Sequence, residues 1–159
     1  MCGRFTLTLT PEALQRAFPW LTFPPGIQQM QPRYNIAPSQ PVAVVPNDGQ
    51  NRLDFFIWGL VPFWSKDPKR AFINARAETV AEKPAFKAAF RYRRCLILAD
   101  GFYEWKPLAG RRKQPYYIHH KDGSPFAFAG IWERWSSPDG SELLTCAIIT
   151  TAPNDLMAA

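Results

Sequence analysis

Residues 125–151 read PFAFAGIWERWSSPDGSELLTCAIITT, and this stretch indicates the fold class. Aromatic and β-branched side chains, which favour extended backbone, dominate both of its halves. The SPDG sequence at residues 137–140 separates the halves and is typical of a turn between paired strands. The stretch therefore predicts two neighbouring strands joined by a tight turn.

Strand-like segments continue on the N-terminal side of this hairpin. They are VAVVP (42–46), RLDFFIWGLVPFW (52–64), CLILADGFYEW (95–105) and QPYYIHHK (114–121). Two segments have helical character. In TPEALQRAF (10–18), Thr10 can cap the N-terminus and Pro11 fits the first turn, and EKPAFKAAFRYRR (82–94) has an amphipathic pattern. Many strands with few helices predict an α+β fold, in which short helices flank a barrel-like mixed sheet. At 159 residues the chain fits a single domain spanning residues 1–159.

The composition of the chain indicates which kind of partner it binds and in which cellular compartment it works. The net charge of +6 favours an anionic partner such as nucleic acid. Three cysteines without a CxxC pair, together with only two histidines, argue against a disulfide framework and a zinc site. We therefore predict no metal and no cofactor. The absence of a charged-then-apolar leader and of a membrane-length apolar run predicts a cytoplasmic protein without membrane contacts. We also expect a monomer.

The N-terminal sequence MCGRF offers a specific chemistry. A small residue at position two normally allows removal of the initiator methionine, which leaves Cys2 with a free α-amine beside its thiol. An α-amine, with a pKa of about 7.7–8.0, is neutral several hundred times more often at pH 7 than a lysine. The amine can attack an aldehyde, and the thiol can then close a five-membered thiazolidine ring. Cys2 is thus an aldehyde trap or, alternatively, an ordinary small residue.

Two internal segments offer polar groups to accompany this cysteine. In an extended FINARAETV segment (72–80), Asn74, Arg76 and Glu78 project to one face and form either an anion-orienting pocket or a solvated edge. If alternation continues through residues 96–104, Glu104 lies on the same apolar face as Leu96 and Leu98 and can exchange protons near neutral pH. A bulge at the intervening glycine would instead make Glu104 a surface residue.

Six motifs occur in one order: MCGRF, RYNIAPSQ, WGLVPFWSKDP, INARAET, RCLILADGFYEW and QPYYI. Together they resemble the SOS-response-associated peptidase (SRAP) domain of abasic-site processing proteins, from the first residue to the last. The resemblance implies a β-rich fold with a narrow groove for single-stranded DNA. It also implies that the mature N-terminal cysteine crosslinks to the ring-opened aldehyde of an abasic site through a thiazolidine, with lyase and self-processing peptidase activities in addition.

The resemblance assigns roles by position. Cys2 is the covalent nucleophile, Asn74 holds the reacting sugar or the N-terminus, and Glu104 is the acid and base. DNA contacts fall at Arg4, Asn35, Pro38, Trp64 and Arg76. The implied partner is single-stranded DNA with an abasic site, so that the protein associates with the nucleoid when bound.

The sequence departs from the family pattern at its C-terminal end. The family places a catalytic histidine in an H-x-R-x-P motif shortly after the segment that matches TTAPNDLMAA (150–159), and this chain ends at Ala159. The C-terminal part of the fold is therefore expected to be incomplete. The steps that the family assigns to that histidine, strand cleavage and crosslink reversal, are expected to be slow.

Two other functions remain open. N-terminal-nucleophile glutamine amidotransferases also begin Met-Cys-Gly and use the α-amine to activate the thiol, which would release ammonia from glutamine. A non-covalent single-strand-binding barrel would use only basic and aromatic side chains. It would bind intact and abasic strands equally and would not need Cys2.

Overall fold

Ten strands and three short helices make up the computed structural model, which describes residues 1–159. The strands are β1 (Phe5–Leu7), β2 (Arg33–Ile36), β3 (Pro41–Pro46), β4 (Asp54–Trp58), β5 (Asn74–Arg76), β6 (Arg94–Ala99), β7 (Gly101–Pro107), β8 (Lys113–Ile118), β9 (Phe126–Ser136) and β10 (Glu142–Thr150). The helices are α1 (Pro11–Ala17), α2 (Lys87–Tyr92) and α3 (Asp155–Ala158), with one 3₁₀ turn at Ile27–Gln29. None of the helices has the length and apolar character needed to cross a bilayer.

Five strands close into a barrel in the order β4-β3-β6-β9-β10, because β10 pairs back onto β4. The β10–β4 pairing is parallel and the other four are antiparallel, so the barrel is mixed. Strand β5 pairs in parallel with the same edge of β10, just beyond β4. The predicted α+β fold with a barrel-like mixed sheet is confirmed.

The β9–β10 hairpin forms where the sequence predicted it. Trp135 pairs with Leu143 and Trp132 with Cys146, and Gly140 completes the turn with a φ of 86°. Glycine is needed at residue 130 within β9, because a Cβ there would lie 2.9 Å from the sulfur of Cys95 on the neighbouring strand.

A second sheet, in the order β2-β1-β7-β8, carries the N-terminus. The chain passes from the barrel into this sheet at Asp100, a buried residue between β6 and β7. Its carboxylate accepts hydrogen bonds from the Thr6 hydroxyl (2.5 Å), the Thr8 backbone N–H (2.6 Å) and the Leu9 N–H (3.1 Å). These bonds fix the corner and hold β1 against β7.

Two predicted elements are longer in the sequence pattern than in the structure. The predicted strand over residues 52–64 ends at Trp58, where Gly59 adopts a φ of 140° and turns the chain away. The predicted helix over residues 82–94 is regular only over Lys87–Tyr92, after a series of turns that contains Pro84. Helix α1 begins as expected, with the Thr10 side chain accepting from the Ala13 N–H at 3.2 Å.

Candidate functional site

Cys2 lies immediately before β1 and is buried, with 6% of its surface exposed. Its thiol donates a long hydrogen bond to the Arg4 carbonyl (3.7 Å). Its own carbonyl accepts from Nδ2 of Asn74 (3.1 Å) on β5. The barrel edge and the N-terminal segment are therefore joined at the residue that the sequence singled out.

Asn74 presents a second polar atom at this point. Its Oδ1 atom is buried and has no hydrogen-bond partner. An unsatisfied buried acceptor costs about 1–3 kcal/mol, so a ligand or N-terminal group that donates to it is favoured. The alternation predicted for the segment holds here, since Ala75 is buried while Arg76, two residues from Asn74, is exposed.

Glu104 completes the group from the second sheet. Its Oε1 atom lies 3.5 Å from the N-terminal ammonium of Met1, and its side chain is 26% exposed. Three side chains distant in sequence, Cys2, Asn74 and Glu104, thus converge on the N-terminus. Two of them contact the N-terminal dipeptide directly.

Of the two surroundings expected for Glu104, the continuous apolar face does not form. The segment through residues 96–104 is not one strand, because the chain changes sheets at Asp100. Leu96, expected on the same buried face, is among the exposed apolar residues, whereas Leu98 is fully buried. Glu104 therefore borders the N-terminus and solvent, and its suitability for proton transfer depends on its proximity to the terminal amine.

The pKa of the Cys2 thiol is raised well above its usual value while Met1 is present. Burial raises its pKa from 9.0 to about 12, partly offset by the bond to the Arg4 carbonyl, and the nearby Glu104 carboxylate raises it further. At pH 7 the group is therefore a neutral thiol. A reaction at its sulfur needs a base to take the proton or a new positive charge beside it.

Four of the five residues proposed to contact DNA occupy three segments around this centre. Arg4 is held by its neighbour, since its Nη1 atom donates to Oδ1 of Asn35 at 3.0 Å. Pro38 follows β2 and is half-buried in the turn that leads to β3. Arg76 is exposed at the end of β5 and forms no ion pair. The first two segments lie on the sheet that carries Cys2, and the third follows Asn74.

The sequence pattern predicted Glu78 on the same face as Asn74 and Arg76. This prediction is wrong. Strand β5 ends at Arg76, and the next residues form a turn in which the Val80 N–H donates to the Arg76 carbonyl (2.9 Å). Glu78 instead accepts from the Thr151 hydroxyl at 2.9 Å. Hydrogen bonds to a backbone N–H and to Thr151 lower its pKa.

Trp64 lies in a loop over residues 61–71, whose ends are closed by the bridge between Leu60 and Phe72. Phe72 is two residues before Asn74, so the base of this loop adjoins the Cys2 centre. The Trp64 side chain is 55% exposed, and the adjacent Phe63 is similarly open. We call Phe63 and Trp64 the aromatic step.

Three buried side chains hold this loop at alternate backbone positions, and sequence reasoning missed them. Thr145 accepts from the Val61 N–H (3.0 Å), Glu133 from the Phe63 N–H (2.9 Å), and the Trp135 ring N–H donates to the Ser65 carbonyl (2.7 Å). Glu133 is 2% exposed and also pairs with Arg93. A carboxylate inside the apolar segment FAFAGIWERW was the available signal, because buried charges require partners.

The remaining cysteines and histidines lie outside this centre. Cys95 and Cys146 are free and buried in barrel strands, and burial raises the pKa of both. His119 and His120 are exposed beside the turn at residues 121–123. No group of three or more His, Cys, Asp or Glu side chains is arranged to hold a metal ion.

Comparison with known proteins identifies the family of the chain. The family model described as SOS response associated peptidase (SRAP) matches residues 1–159. The chain belongs to the SRAP family. Among curated relatives, this SRAP chain is 48% identical over 160 residues to "Abasic site processing protein YoqW" of Bacillus subtilis (strain 168), covering 99% of this chain and 71% of the relative.

More distant relatives and a solved structure extend the comparison. "Abasic site processing protein YedK" of Escherichia coli (strain K12) is 36% identical over 161 residues, with 92% of this SRAP chain and 68% of the relative covered. "Abasic site processing protein HMCES" of Xenopus tropicalis is 30% identical, with 95% and 57% covered. A crystal structure of a protein from Bacteroides thetaiotaomicron superposes with a TM-score of 0.81 at 29% identity, covering 96% of this chain and 70% of that one.

Proposed function

We propose that this SRAP protein senses abasic sites in single-stranded DNA and captures them covalently through Cys2. The relatives named above are abasic site processing proteins, which supports a DNA-processing role at such lesions. The observation that carries the covalent step is the convergence of Cys2, Asn74 and Glu104 on the N-terminus. A stable adduct shields the lesion from cleavage.

The chemistry begins with removal of Met1, which exposes the backbone nitrogen of Cys2 as a free α-amine. The neutral amine attacks the aldehyde carbon of the ring-opened sugar, and loss of one water gives an imine. The Cys2 sulfur then adds to the imine carbon, and the imine nitrogen takes up a proton as the thiol loses one. The net reaction joins an aldehyde and an aminothiol into a thiazolidine with release of one water.

Glu104 and Asn74 support different parts of this sequence. The Glu104 carboxylate accepts a proton from the α-ammonium and returns it to the departing hydroxyl, as a positioned acid and base. It also accepts the proton of the Cys2 thiol when the sulfur adds to the imine carbon. The Asn74 Nδ2 atom fixes the Cys2 carbonyl, and its unpartnered Oδ1 receives an N–H or O–H of the reacting groups.

The surrounding segments bind the strand in this proposal. Arg4, oriented by Asn35, and Arg76 contact phosphates, while the Pro38 turn lines the groove beside the N-terminus. The aromatic step stacks on bases near the lesion, and stacking contributes about 1–3 kcal/mol per base. The hydrogen bonds that hold the loop keep Trp64 in place before DNA arrives.

Two further activities belong to the same proposal. The imine makes the neighbouring C2′ proton acidic, and its removal by a base expels the 3′ phosphate, which is a lyase reaction. Hydrolysis of the Met1–Cys2 peptide bond, which frees the α-amine, suffices to account for a peptidase activity.

A comparison of three single-stranded oligonucleotides on a denaturing gel tests the proposal. We expect a heat-stable adduct with abasic DNA, and none with intact DNA or with abasic DNA whose aldehyde has been reduced. Equal, purely reversible binding to all three would favour a non-covalent single-strand-binding protein. Release of ammonia from glutamine without any adduct would favour an amidotransferase.

Arg76→Ala tests the proposed phosphate contact. We expect weaker binding to intact single-stranded DNA, with the slope of log affinity against log salt reduced by about 0.7, because one phosphate contact is lost. Affinity titrations over a range of salt concentrations measure both quantities. Glu78→Gln, in the adjacent turn, is the control and should not flatten the slope. An unchanged slope in Arg76→Ala would exclude the phosphate contact.

A further inference from the structure

Part of the second sheet projects beyond the body of the protein. Strand β7 pairs with β1 only at Gly101 and Phe102, with one more bond from the Tyr103 N–H to the Arg4 carbonyl. Beyond Glu104, the partner of β7 is β8. We call residues 105–118 the β7–β8 arm. Its residues 105–117 are all exposed, and such a two-stranded ribbon is only marginally stable alone.

The arm carries most of the excess positive charge of the chain. It contains Lys106, Arg111, Arg112 and Lys113 and no Asp or Glu, so it contributes +4 of the net +6. None of these four cations pairs with an Asp or Glu side chain. The Lys106 ammonium donates to the Ala159 carbonyl at 2.6 Å, and the other three cations at the tip form no side-chain hydrogen bond. A compact unpaired positive tip fits a polyanion.

Exposed aromatic rings accompany these charges. Trp105 and Tyr116 are among the exposed large apolar residues, and Tyr116 lies directly across the ribbon from Glu104. Basic side chains that track a backbone, combined with rings that stack on bases, are the usual composition of single-strand binding surfaces. An acidic protein partner would match the charges but would give no role to open, flat rings.

The arm begins directly beside the Cys2 centre. Glu104, which contacts the N-terminal ammonium, is the last residue of β7 before the arm begins. At about 3.3 Å per residue, the tip lies roughly 10–20 Å from Glu104. A stacked strand advances about 3.4 Å per nucleotide, so this distance corresponds to roughly three to six nucleotides.

We propose that the β7–β8 arm binds the phosphodiester backbone of the damaged strand, three to six nucleotides from the abasic site. This inference rests on the proposed function for the location of the lesion. Arg111, Arg112 and Lys113 contact phosphates. Tyr116 is paired with Glu104 and therefore lies on the same face of the ribbon, where it stacks on a base between the tip and the reacting sugar. The arm makes capture depend on a length of single-stranded DNA beside the lesion.

The triple variant Arg111→Ala, Arg112→Ala, Lys113→Ala tests the proposal. Its control, Arg16→Ala, Lys83→Ala, Lys87→Ala, removes the same charge from exposed positions on and next to the helices. Binding is measured on intact single strands of about five and about twenty nucleotides, lengths near the lower limit and above the upper limit of typical single-strand sites. Crosslinking of a short abasic strand is measured separately.

We expect the arm variant to bind the long strand about tenfold more weakly than the control variant, with a salt slope smaller by about 2, since three contacts are lost. The short strand should bind equally to both, and its abasic form should crosslink at equal rates. Equal affinity and slope on the long strand would overturn the arm contact, and so would equal losses on both lengths. Failure of the wild-type protein to crosslink would refute the proposed function instead, and the binding comparison would still report on the arm.

Discussion

Cys2→Ser is expected to abolish the heat-stable adduct with abasic DNA. Serine retains the α-amine, so an imine still forms and can be trapped by borohydride. Its hydroxyl is a poor nucleophile toward the imine carbon, and no stable ring closes. A chain extended at its N-terminus should lose both the adduct and the trappable imine, because the amine is then displaced from Cys2.

Cys95→Ala is the matched control for this experiment. Cys95 is also a buried thiol with a pKa raised to about 12, but it has no adjacent α-amine. Its replacement should leave crosslinking unchanged as long as the protein remains folded, which circular dichroism verifies. A heat-stable adduct formed by Cys2→Ser or by the extended chain would eliminate the aminothiol mechanism.

Glu104→Gln is expected to slow adduct formation by about 10²–10⁴-fold, the usual contribution of a positioned acid and base. Glutamine preserves the size of the side chain and its ability to accept hydrogen bonds, but it cannot exchange a proton. Binding to intact single-stranded DNA should change little. Time courses of adduct formation at saturating protein, compared with binding titrations, separate the two effects.

Glu78→Gln serves as the control, because Glu78 is a carboxylate in the turn after β5 and does not contact the N-terminus. Its crosslinking rate should match the wild type. A Glu104→Gln rate within a few-fold of wild type would show that another group transfers the protons.

Local sequence signals accounted for the elements whose contacts are local. The β9–β10 hairpin follows from its aromatic and β-branched strands and the SPDG turn, and helix α1 from its Thr10 cap and first-turn proline. Alternation correctly placed Asn74 and Arg76 on one face. These features depend on residues close together in the chain, so the pattern alone is sufficient.

The features that sequence reasoning missed depend on distant contacts. The corner at Asp100 exists because its carboxylate binds Thr6 and Thr8, more than ninety residues earlier, and alternation through residues 96–104 cannot report it. The role of Glu133 depends likewise on the Phe63 N–H, seventy residues away. The convergence of Asn74 and Glu104 on the N-terminus was implied by family resemblance, and periodicity gave no sign of it.

The most direct measurement of the central claim is the intact mass of the denatured adduct between the Met1-free protein and an abasic oligonucleotide. The account predicts a mass equal to protein plus oligonucleotide minus one water. Proteolysis should then locate the linkage at Cys2, with both its nitrogen and its sulfur blocked. A linkage at a lysine, an adduct with a free Cys2 thiol, or recovery of only the unmodified protein would contradict it.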